Sequence, residues 1–247
     1  MKTFNVITIF PDLIQNFSKY GLINRAIKKK VVELNTINLR DFSDDPNLRI
    51  DDKSYGGGPG MVIKYMPVEK AFKSIKKESY NIYLSPQGNR LSQSKISDLT
   101  RIDNLTLLCG RYEGYDQRVI DDFVDEQISI GDYVISGGEL PALVLIEGIT
   151  RLLPNVANDM DSIVNDSFTE NLLDYPHYTR PESINDKKVP SVLLSGDHQE
   201  VSRWRRKQSL GVTWKIRPDL LKNVKLGIED DKLLKEYIAE IKKNENK

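Results

Sequence analysis

The chain is poor in the side chains that form disulfides and transition-metal sites. It has one cysteine, Cys109, and two histidines, His177 and His198, among 247 residues. A single thiol cannot form an intramolecular disulfide, and one cysteine excludes any multi-cysteine zinc site. We therefore expect no metal ligands in this chain.

Long apolar runs are missing as well. The longest, Leu140–Ile146, covers about a third of the ~20 residues that a membrane-spanning helix needs. The first residues carry one lysine and a short apolar stretch before Pro11-Asp12, without the long core of a signal peptide. With the single cysteine, these absences predict a soluble, cytoplasmic protein that has no membrane partner.

Neither sign of charge is in excess, since 36 Lys and Arg balance 36 Asp and Glu. Contact with a nucleic acid must then come from local clustering. One cluster exists: eight basic residues, two acidic residues and both tryptophans lie between Glu200 and Lys225. Basic side chains interleaved with aromatic rings suit phosphate contact and base stacking, which predicts an RNA-binding face. The alternative is a solvated helix face whose tryptophans pack into a small core.

Three common phosphate and nucleophile motifs are absent. No segment fits G-x-x-x-x-G-K-[ST], G-x-G-x-x-G or G-x-S-x-G. These absences exclude a P-loop, the usual dinucleotide fingerprint and a nucleophile elbow.

What the sequence does contain is an α/β pattern followed by a helical one. Apolar periodicity predicts strands at 4–10, 31–39, 81–84, 105–109 and 126–130, and helices after Pro11-Asp12 and at 66–77, 92–100, 114–123 and 139–153. This alternation indicates a sheet covered on both faces. The pattern ends at Pro154. We interpret 1–153 as the first domain, 154–170 as a flexible linker and 171–247 as a mostly helical domain. Its main helices are predicted at 198–209, capped by Asp197, and 229–243.

Glycines are concentrated in loops that follow the predicted strands. The loops read SPQG at Ser85–Gly88, CGRYEG at Cys109–Gly114 and SIGDYVISGGELP at Ser129–Pro141. Glycine permits positive φ and close approach of the backbone to a ligand, and ligands of open α/β sheets bind beyond the carboxyl ends of strands. Three such loops predict one pocket for a ligand read by backbone groups, such as an adenosine-containing cofactor. The alternative is that each loop is only a tight turn.

Long motifs carry a resemblance. YLSPQG, CGRYEG, IGDYVISGGELPA, LLDYPHYTRP, VLLSGDH and WRRKQSL follow one another along nearly the whole chain, with SYGGGPGM near its start. In this order they resemble the bacterial tRNA (guanine-N1)-methyltransferases, the TrmD family of the SPOUT superfamily. The resemblance implies a parallel sheet with a deep trefoil knot, a rare exception to the rule against knots. It also implies a small helical C-terminal domain that binds tRNA.

The resemblance implies chemistry too. Members of the family transfer a methyl group from S-adenosylmethionine to N1 of guanosine-37 in tRNA when the preceding nucleotide is also guanosine. They work as homodimers with active sites at the interface. Magnesium supports their activity without a dedicated protein site.

Site residues carry over by motif. The cofactor pocket is expected to be formed by Tyr83, Leu84, Ser85, Pro86, Gly110, Ile130, Gly131, Asp132, Tyr133, Val134, Ile135, Gly137, Gly138 and Pro141. Glu113 corresponds to a residue near the methionine end of the cofactor, and Arg151 and Asp166 to the family's catalytic pair. The expected tRNA contacts are Arg203, Arg205, Arg206 and Lys207. The segment Gly211–Leu220 is less rich in arginine than is typical of the family.

The roles of the catalytic pair agree with guanine chemistry. N1 carries a proton at neutral pH, and a carboxylate such as Asp166 can accept it as the methyl group is transferred. Negative charge then develops on O6, where a guanidinium such as Arg151 stabilises it. Without the resemblance, Asp166 is an ordinary linker or helix-cap acid, and Arg151 is a cation favourable to a helix C-terminus.

Two other functions stay open at this point. A knotted methyltransferase acting on ribosomal RNA or on a ribose 2′-oxygen would share the cofactor pocket, but it need not have the LLDYPHYTRP and WRRKQSL segments. A non-catalytic RNA-binding protein of the same fold would lack methyl transfer. The first is distinguished by changing guanosine-37, and the second by measuring cofactor binding.

Overall fold

The computed structural model describes residues 1–157, 166–222 and 224–245. Its internal contacts divide the chain after residue 158 into two compact units. The flexible linker predicted at 154–170 lies partly outside the described residues, so the linker and the domain boundaries around it stay predictions. No helix in the described ranges is long and apolar enough to span a membrane.

The first unit is built on a five-stranded parallel sheet. In chain order, the strands of the unit, inside and outside this sheet, are β1 (Lys2–Thr8), β2 (Val32–Asn38), β3 (Asp51–Asp52), β4 (Val62–Ile63), β5 (Tyr80–Arg90), β6 (Asn104–Cys109) and β7 (Glu126–Ser129). The sheet order is β2-β1-β6-β5-β7, and β3 pairs with β4 in a separate antiparallel ribbon. Because β6 lies between two neighbours and is buried on both faces, it has the continuous apolar sequence of a central parallel strand.

Helices cover both faces of this sheet. They are α1 (Pro11–Phe17), α2 (Gly21–Lys28), α3 (Tyr65–Lys73), α4 (Gln93–Leu99), α5 (Gln117–Phe123) and α6 (Glu139–Leu152), with a 3-10 turn at Leu39–Phe42. Alternate strand residues point to opposite faces. Phe4 and Val6 pack with residues of α1, α2, α4 and α6, whereas Ile7 packs with residues of α3, α5 and the 3-10 turn. The α/β class predicted from the sequence is confirmed.

Strand β5 leaves the regular ladder where the SPQG loop begins. Its pairing with β7 is interrupted between Leu84 and Asn89 and then resumes, so the intervening residues loop out of the sheet. At Gly88 the chain returns so close to β7 that a Cβ at this position would lie 2.3 Å from the backbone of Ile128. Only glycine fits so close an approach of two backbones.

A second close crossing joins the loop after β6 to the start of α6. The backbone N–H of Gly138 donates to the carbonyl of Gly110 at 2.9 Å. A Cβ on Gly138 would lie 2.7 Å from Cα of Cys109 and 2.8 Å from N of Gly110. Two loops that touch backbone to backbone are consistent with the trefoil knot implied by the resemblance.

The second unit is small and mostly helical, as predicted. It contains the hairpin β8 (Ser183–Ile184) and β9 (Lys187–Lys188), a 3-10 turn at Ser191–Leu194, and helices α7 (His198–Ile216), α8 (Pro218–Leu221) and α9 (Ile228–Glu245). Leu172, Leu210 and Leu233 form its buried centre. Helices α7 and α9 approach closely at Gly211, where a Cβ would overlap the ring of Tyr237.

Several predicted boundaries were wrong for identifiable reasons. Strand β1 begins at Lys2 and ends at Thr8 rather than at residue 10, because the Thr8 hydroxyl accepts from the backbone N–H of Phe10 and turns the chain. The helix expected from residue 114 begins at Gln117, since the Gly114 carbonyl and the Asp116 N–H bond to Ile63 instead.

Two helices also differ from prediction in length. Helix α3 stops at Lys73, where the Ser74 hydroxyl donates to the Ala71 carbonyl and competes with the backbone pattern. Helix α7 continues past Ser209 to Ile216. It ends before Pro218, because a proline disfavours the helical conformation in the residue that precedes it.

Candidate functional site

The three glycine-bearing loops line one cavity of about 400 Å³, which lies where β5 leaves the ladder after Leu84 and beyond the carboxyl ends of β6 and β7. This volume lies in the range of small-molecule and cofactor pockets, roughly 300–1,000 Å³. The structure therefore brings together segments that are separated by tens of residues in the chain. Their convergence favours a ligand site over three independent turns.

All the residues expected to hold the cofactor line this cavity, with one exception. The residues that do are Tyr83, Leu84, Ser85, Pro86, Gly110, Ile130, Gly131, Tyr133, Val134, Ile135, Gly137, Gly138 and Pro141, and Glu113 joins them. The exception is Asp132, whose carboxylate pairs with the Arg90 guanidinium and is 81% exposed. Asp132 therefore lies outside the cavity lining and contacts Arg90 instead.

Two glycines shape the wall of this cavity. Gly131 has φ +154°, and its N–H donates to the Ser129 hydroxyl at 3.2 Å. A Cβ on Gly110 would lie 2.9 Å from the hydroxyl of Tyr83. Both positions thus need glycine to keep the cavity wall open.

Two tyrosines form a wall that stays uncharged at neutral pH. The rings of Tyr83 and Tyr115 meet edge to face with centroids 5.5 Å apart. Burial raises the pKa of both hydroxyls, and that of Tyr115 lies well above its ordinary value. The Tyr115 hydroxyl donates to the Cys109 carbonyl at 2.7 Å, which fixes the start of the CGRYEG loop. Burial also raises the pKa of the Cys109 thiol, so it is protonated and inert.

A buried ion pair that sequence reasoning missed connects two of the loops. Arg111 donates from Nε to Oε2 of Glu139 at 2.9 Å, and the Glu139 side chain is 1% exposed. The other carboxylate oxygen accepts from the Thr8 hydroxyl at 2.7 Å. Arg111 also donates to the Ser136 carbonyl and lies 4.5 Å from the ring centroid of Phe10. The only sequence signal was that Arg111 is the one basic residue of these two glycine-rich loops, which also contain Glu113, Asp132 and Glu139.

The glycine-rich segment Ser54–Met61 runs beside the CGRYEG loop. The N–H of Glu113 donates to the Met61 carbonyl at 3.0 Å, and Ile63 donates to Gly114 at 2.9 Å. Gly60, at φ +84°, lies against the Glu113 side chain, which a Cβ would overlap. This segment therefore holds Glu113 in the cavity wall.

The expected catalytic pair is divided between the two units. Arg151 is exposed in the last turn of α6 in the first unit. Asp166 lines a separate cleft of about 240 Å³ in the second unit, together with Tyr175 and Arg205. Neither unit taken alone contains both members of the pair.

The basic cluster of α7 resolves into two kinds of residue. Three of its cations pair with acids of the same unit: Arg203 with Glu236 at 2.8 Å, Arg206 with Asp230 at 2.7 Å, and Lys207 with Glu240 at 2.6 Å. These pairs lower the pKa of Glu236 and Asp230 and raise that of both arginines. They favour the alternative interpretation, a helix face that packs on its own domain, for these three cations.

The fourth cation behaves differently. Arg205 is exposed, and its guanidinium carbon lies 5.1 Å from the ring centroid of Tyr175. Within 166–222 and 224–245, no carboxylate forms an ion pair with it. Of the four expected tRNA contacts, Arg205 is thus the one whose charge the described part of the unit leaves unneutralised.

Comparisons with known proteins agree along nearly the whole chain. The family model described as tRNA (Guanine-1)-methyltransferase TrmD matches residues 1–223. A tRNA (guanine-N(1)-)-methyltransferase of Tolumonas auensis is 48% identical over 240 residues, which are 96% of this chain and 96% of that protein. A protein of the same name from Pseudomonas fluorescens is 50% identical over 239 residues, covering 95% of this chain and 96% of its own. One from Vibrio vulnificus is 47% identical over 239 residues, with coverage of 95% and 96%.

Proposed function

We propose, from the premise that this chain belongs to the TrmD family of tRNA (guanine-1)-methyltransferases, that it methylates N1 of guanosine-37 in tRNA. The methyl donor in this proposal is S-adenosylmethionine. The observation that carries the proposal is the cavity formed by three glycine loops, one where β5 leaves the ladder and two at the carboxyl ends of β6 and β7. A cytoplasmic location follows from the substrate.

The lining of the cavity supports S-adenosylmethionine as its ligand. Glycines at 110, 131 and 138 keep its wall free of Cβ atoms, which lets backbone N–H and carbonyl groups approach a ligand. Pro86, Ile130 and Val134 supply apolar surface beside them, as adenosine-containing ligands require. When bound, the cofactor supplies an electrophilic methyl group on a sulfonium. Among the described residues no cluster of acids, histidines or cysteine could hold a metal ion, and the proposal names no magnesium ligand.

In this proposal two side chains assist the reaction at the guanine, one as a base and one as a cation. Asp166 accepts the N1 proton, which frees the nitrogen lone pair for attack on the methyl carbon. Arg151 stabilises the negative charge that develops on O6, and Glu113 lies at the methionine end of the cavity. The remaining contribution is positioning, because a methyl transfer needs the nucleophile and the methyl group in line.

We also propose that the protein acts as a homodimer. Helices α1 and α6 pack together and leave Leu13, Leu140 and Val144 exposed, with Phe10 beside them. Exposed apolar residues of this kind indicate a protein interface. In a dimer, the Asp166 that acts with a given Arg151 can come from the same chain or from the second copy.

Methyl transfer to defined tRNA transcripts tests the function. The full chain, incubated with radioactive S-adenosylmethionine, should label a transcript that has guanosine at positions 36 and 37. A transcript with adenosine at position 37 should stay at background. Equal labelling of both would point to another RNA methyltransferase, and no labelling despite cofactor binding would point to a binding protein.

A further inference from the structure

The positions of the four cations on α7 determine which of them can contact RNA. Arg203, Arg206 and Lys207 are three and four residues apart, so they share one face of the helix. That face meets α9, where each finds its acid. Arg205 is offset by two residues from Arg203 and lines the cleft that contains Tyr175 and Asp166. Arg206 lines the same cleft, but its guanidinium pairs with Glu170 and Asp230.

Aromatic rings back Arg205 in that cleft. The Tyr175 ring lies under the guanidinium, 5.1 Å from its carbon, and the His177 ring lies 4.7 Å from the Tyr175 ring at 42°. The His177 ring in turn bonds to the carboxylate of Asp174 at 2.9 Å. Arg205 is exposed beside the Tyr175 ring, so its guanidinium offers a flat cationic surface.

The acids around the cleft indicate which part of an RNA fits there. Three carboxylates, those of Asp166, Glu170 and Asp174, line it with two guanidiniums, those of Arg205 and Arg206, and Arg206 pairs with Glu170. The lining therefore has one formal negative charge in excess, which disfavours a phosphate. A nucleobase is uncharged and flat, and unpaired bases stack on aromatic rings and on arginine planes. The cleft of about 240 Å³ is large enough for one base.

We propose that Arg205, backed by Tyr175, is a stacking platform for one unpaired base of the tRNA, beside Asp166. The proposal rests on the proposed function, since it takes tRNA as the ligand. It differs from a backbone contact, because stacking needs the guanidinium plane and a phosphate contact needs only the charge. Arg203, Arg206 and Lys207 are then structural cations that hold α7 to α9.

The test compares Arg205→Ala with Arg205→Lys in the full chain, using an unmodified tRNA transcript and a salt series. Stacking predicts that both variants bind tRNA about 5- to 150-fold more weakly, the range measured when a stacking side chain is removed. Lysine should not rescue binding, because an ammonium group has no plane. The slope of log affinity against log salt should change by much less than one unit. Arg203→Ala is the matched control, with a lowered melting temperature and unchanged tRNA affinity.

Three results would overturn the proposal. Wild-type affinity in Arg205→Ala would remove the residue from the RNA face. Rescue by lysine, with the salt slope of Arg205→Ala reduced by about one unit, would make Arg205 a phosphate contact. A melting temperature lowered in Arg205→Ala as much as in Arg203→Ala would make it a packing residue. A wild-type protein that binds tRNA but transfers no methyl group would refute the proposed function and leave this inference standing.

Discussion

Replacing Gly138 by alanine tests the backbone crossing that closes the cofactor cavity. Gly138 has φ −79° and ψ −6°, a conformation that alanine adopts without strain. The added methyl group would lie 2.7 Å from Cα of Cys109 and 2.8 Å from N of Gly110. Both atoms belong to backbone, so no side chain can rotate away to relieve the contact.

The size of the effect follows from two losses. Overpacking a close-packed site costs about 1–3 kcal/mol. Forcing the two loops apart also lengthens the hydrogen bond from Gly138 to Gly110, worth about 0.5–1.5 kcal/mol. Gly138→Ala should therefore lower the free energy of unfolding by about 2–4 kcal/mol. At about 2–4 °C per kcal/mol for a unit of this size, the melting temperature should fall by about 4–16 °C.

The assay is a melting curve paired with calorimetric titration of S-adenosylmethionine. Since both displaced loops line the cavity, cofactor affinity should fall about tenfold or more, equivalent to ~1.4 kcal/mol. Gly227→Ala is the matched control, because a Cβ there meets nothing within 4 Å and φ is not positive. A Gly138→Ala protein with wild-type melting temperature and affinity would refute the crossing as a constraint on the cavity.

Three further predictions concern the proposed catalytic base, the buried ion pair and the assembly. Asp166→Asn should slow single-turnover methyl transfer by roughly 10²–10⁴ while cofactor affinity stays at the wild-type value; a loss of only a few-fold would make Asp166 a structural acid. Glu139→Ala should lower the free energy of unfolding by about 3–5 kcal/mol in chemical denaturation, because it leaves the partly buried Arg111 without its partner. The double variant Glu139→Leu, Arg111→Met should recover much of that loss, and equal destabilisation by both variants would count against the ion-pair account. If active sites form between subunits, mixing inactive Gly110→Val and Asp166→Asn proteins should restore about a quarter of wild-type activity in the random dimers; no recovery in mass-verified mixed dimers would place each site within one chain.

The sequence predicted the sheet well because buried parallel strands have a distinctive composition. The apolar run that ends at Cys109 is typical of a strand covered on both faces, and β6 occupies that place. Helix α2 was missed although it had a signal: Ile23 and Ala26 are three residues apart and both are buried. Its N-terminus has no side-chain cap, which removed the usual start signal.

The candidate site was predictable as a set of loops but not as a network of charges. Glycine marked the three loops of the cavity because neighbouring backbone excludes a Cβ at Gly138 and the Tyr83 side chain crowds one at Gly110. The Arg111–Glu139 pair spans 28 residues, and no local pattern indicates a partner at that distance. The same limit applies to α7, whose cations form a basic cluster in the sequence but pair mostly with acids of α9 in the fold.

Identification of the methylated nucleoside tests the central claim most directly. A tRNA transcript with guanosine at positions 36 and 37 is incubated with the full chain and S-adenosylmethionine, digested, and analysed by mass spectrometry with fragment mapping. The account predicts 1-methylguanosine at position 37, and its loss when Asp166 is replaced by asparagine. A methyl group on a ribose 2′-oxygen, on another base, or at another position would contradict it.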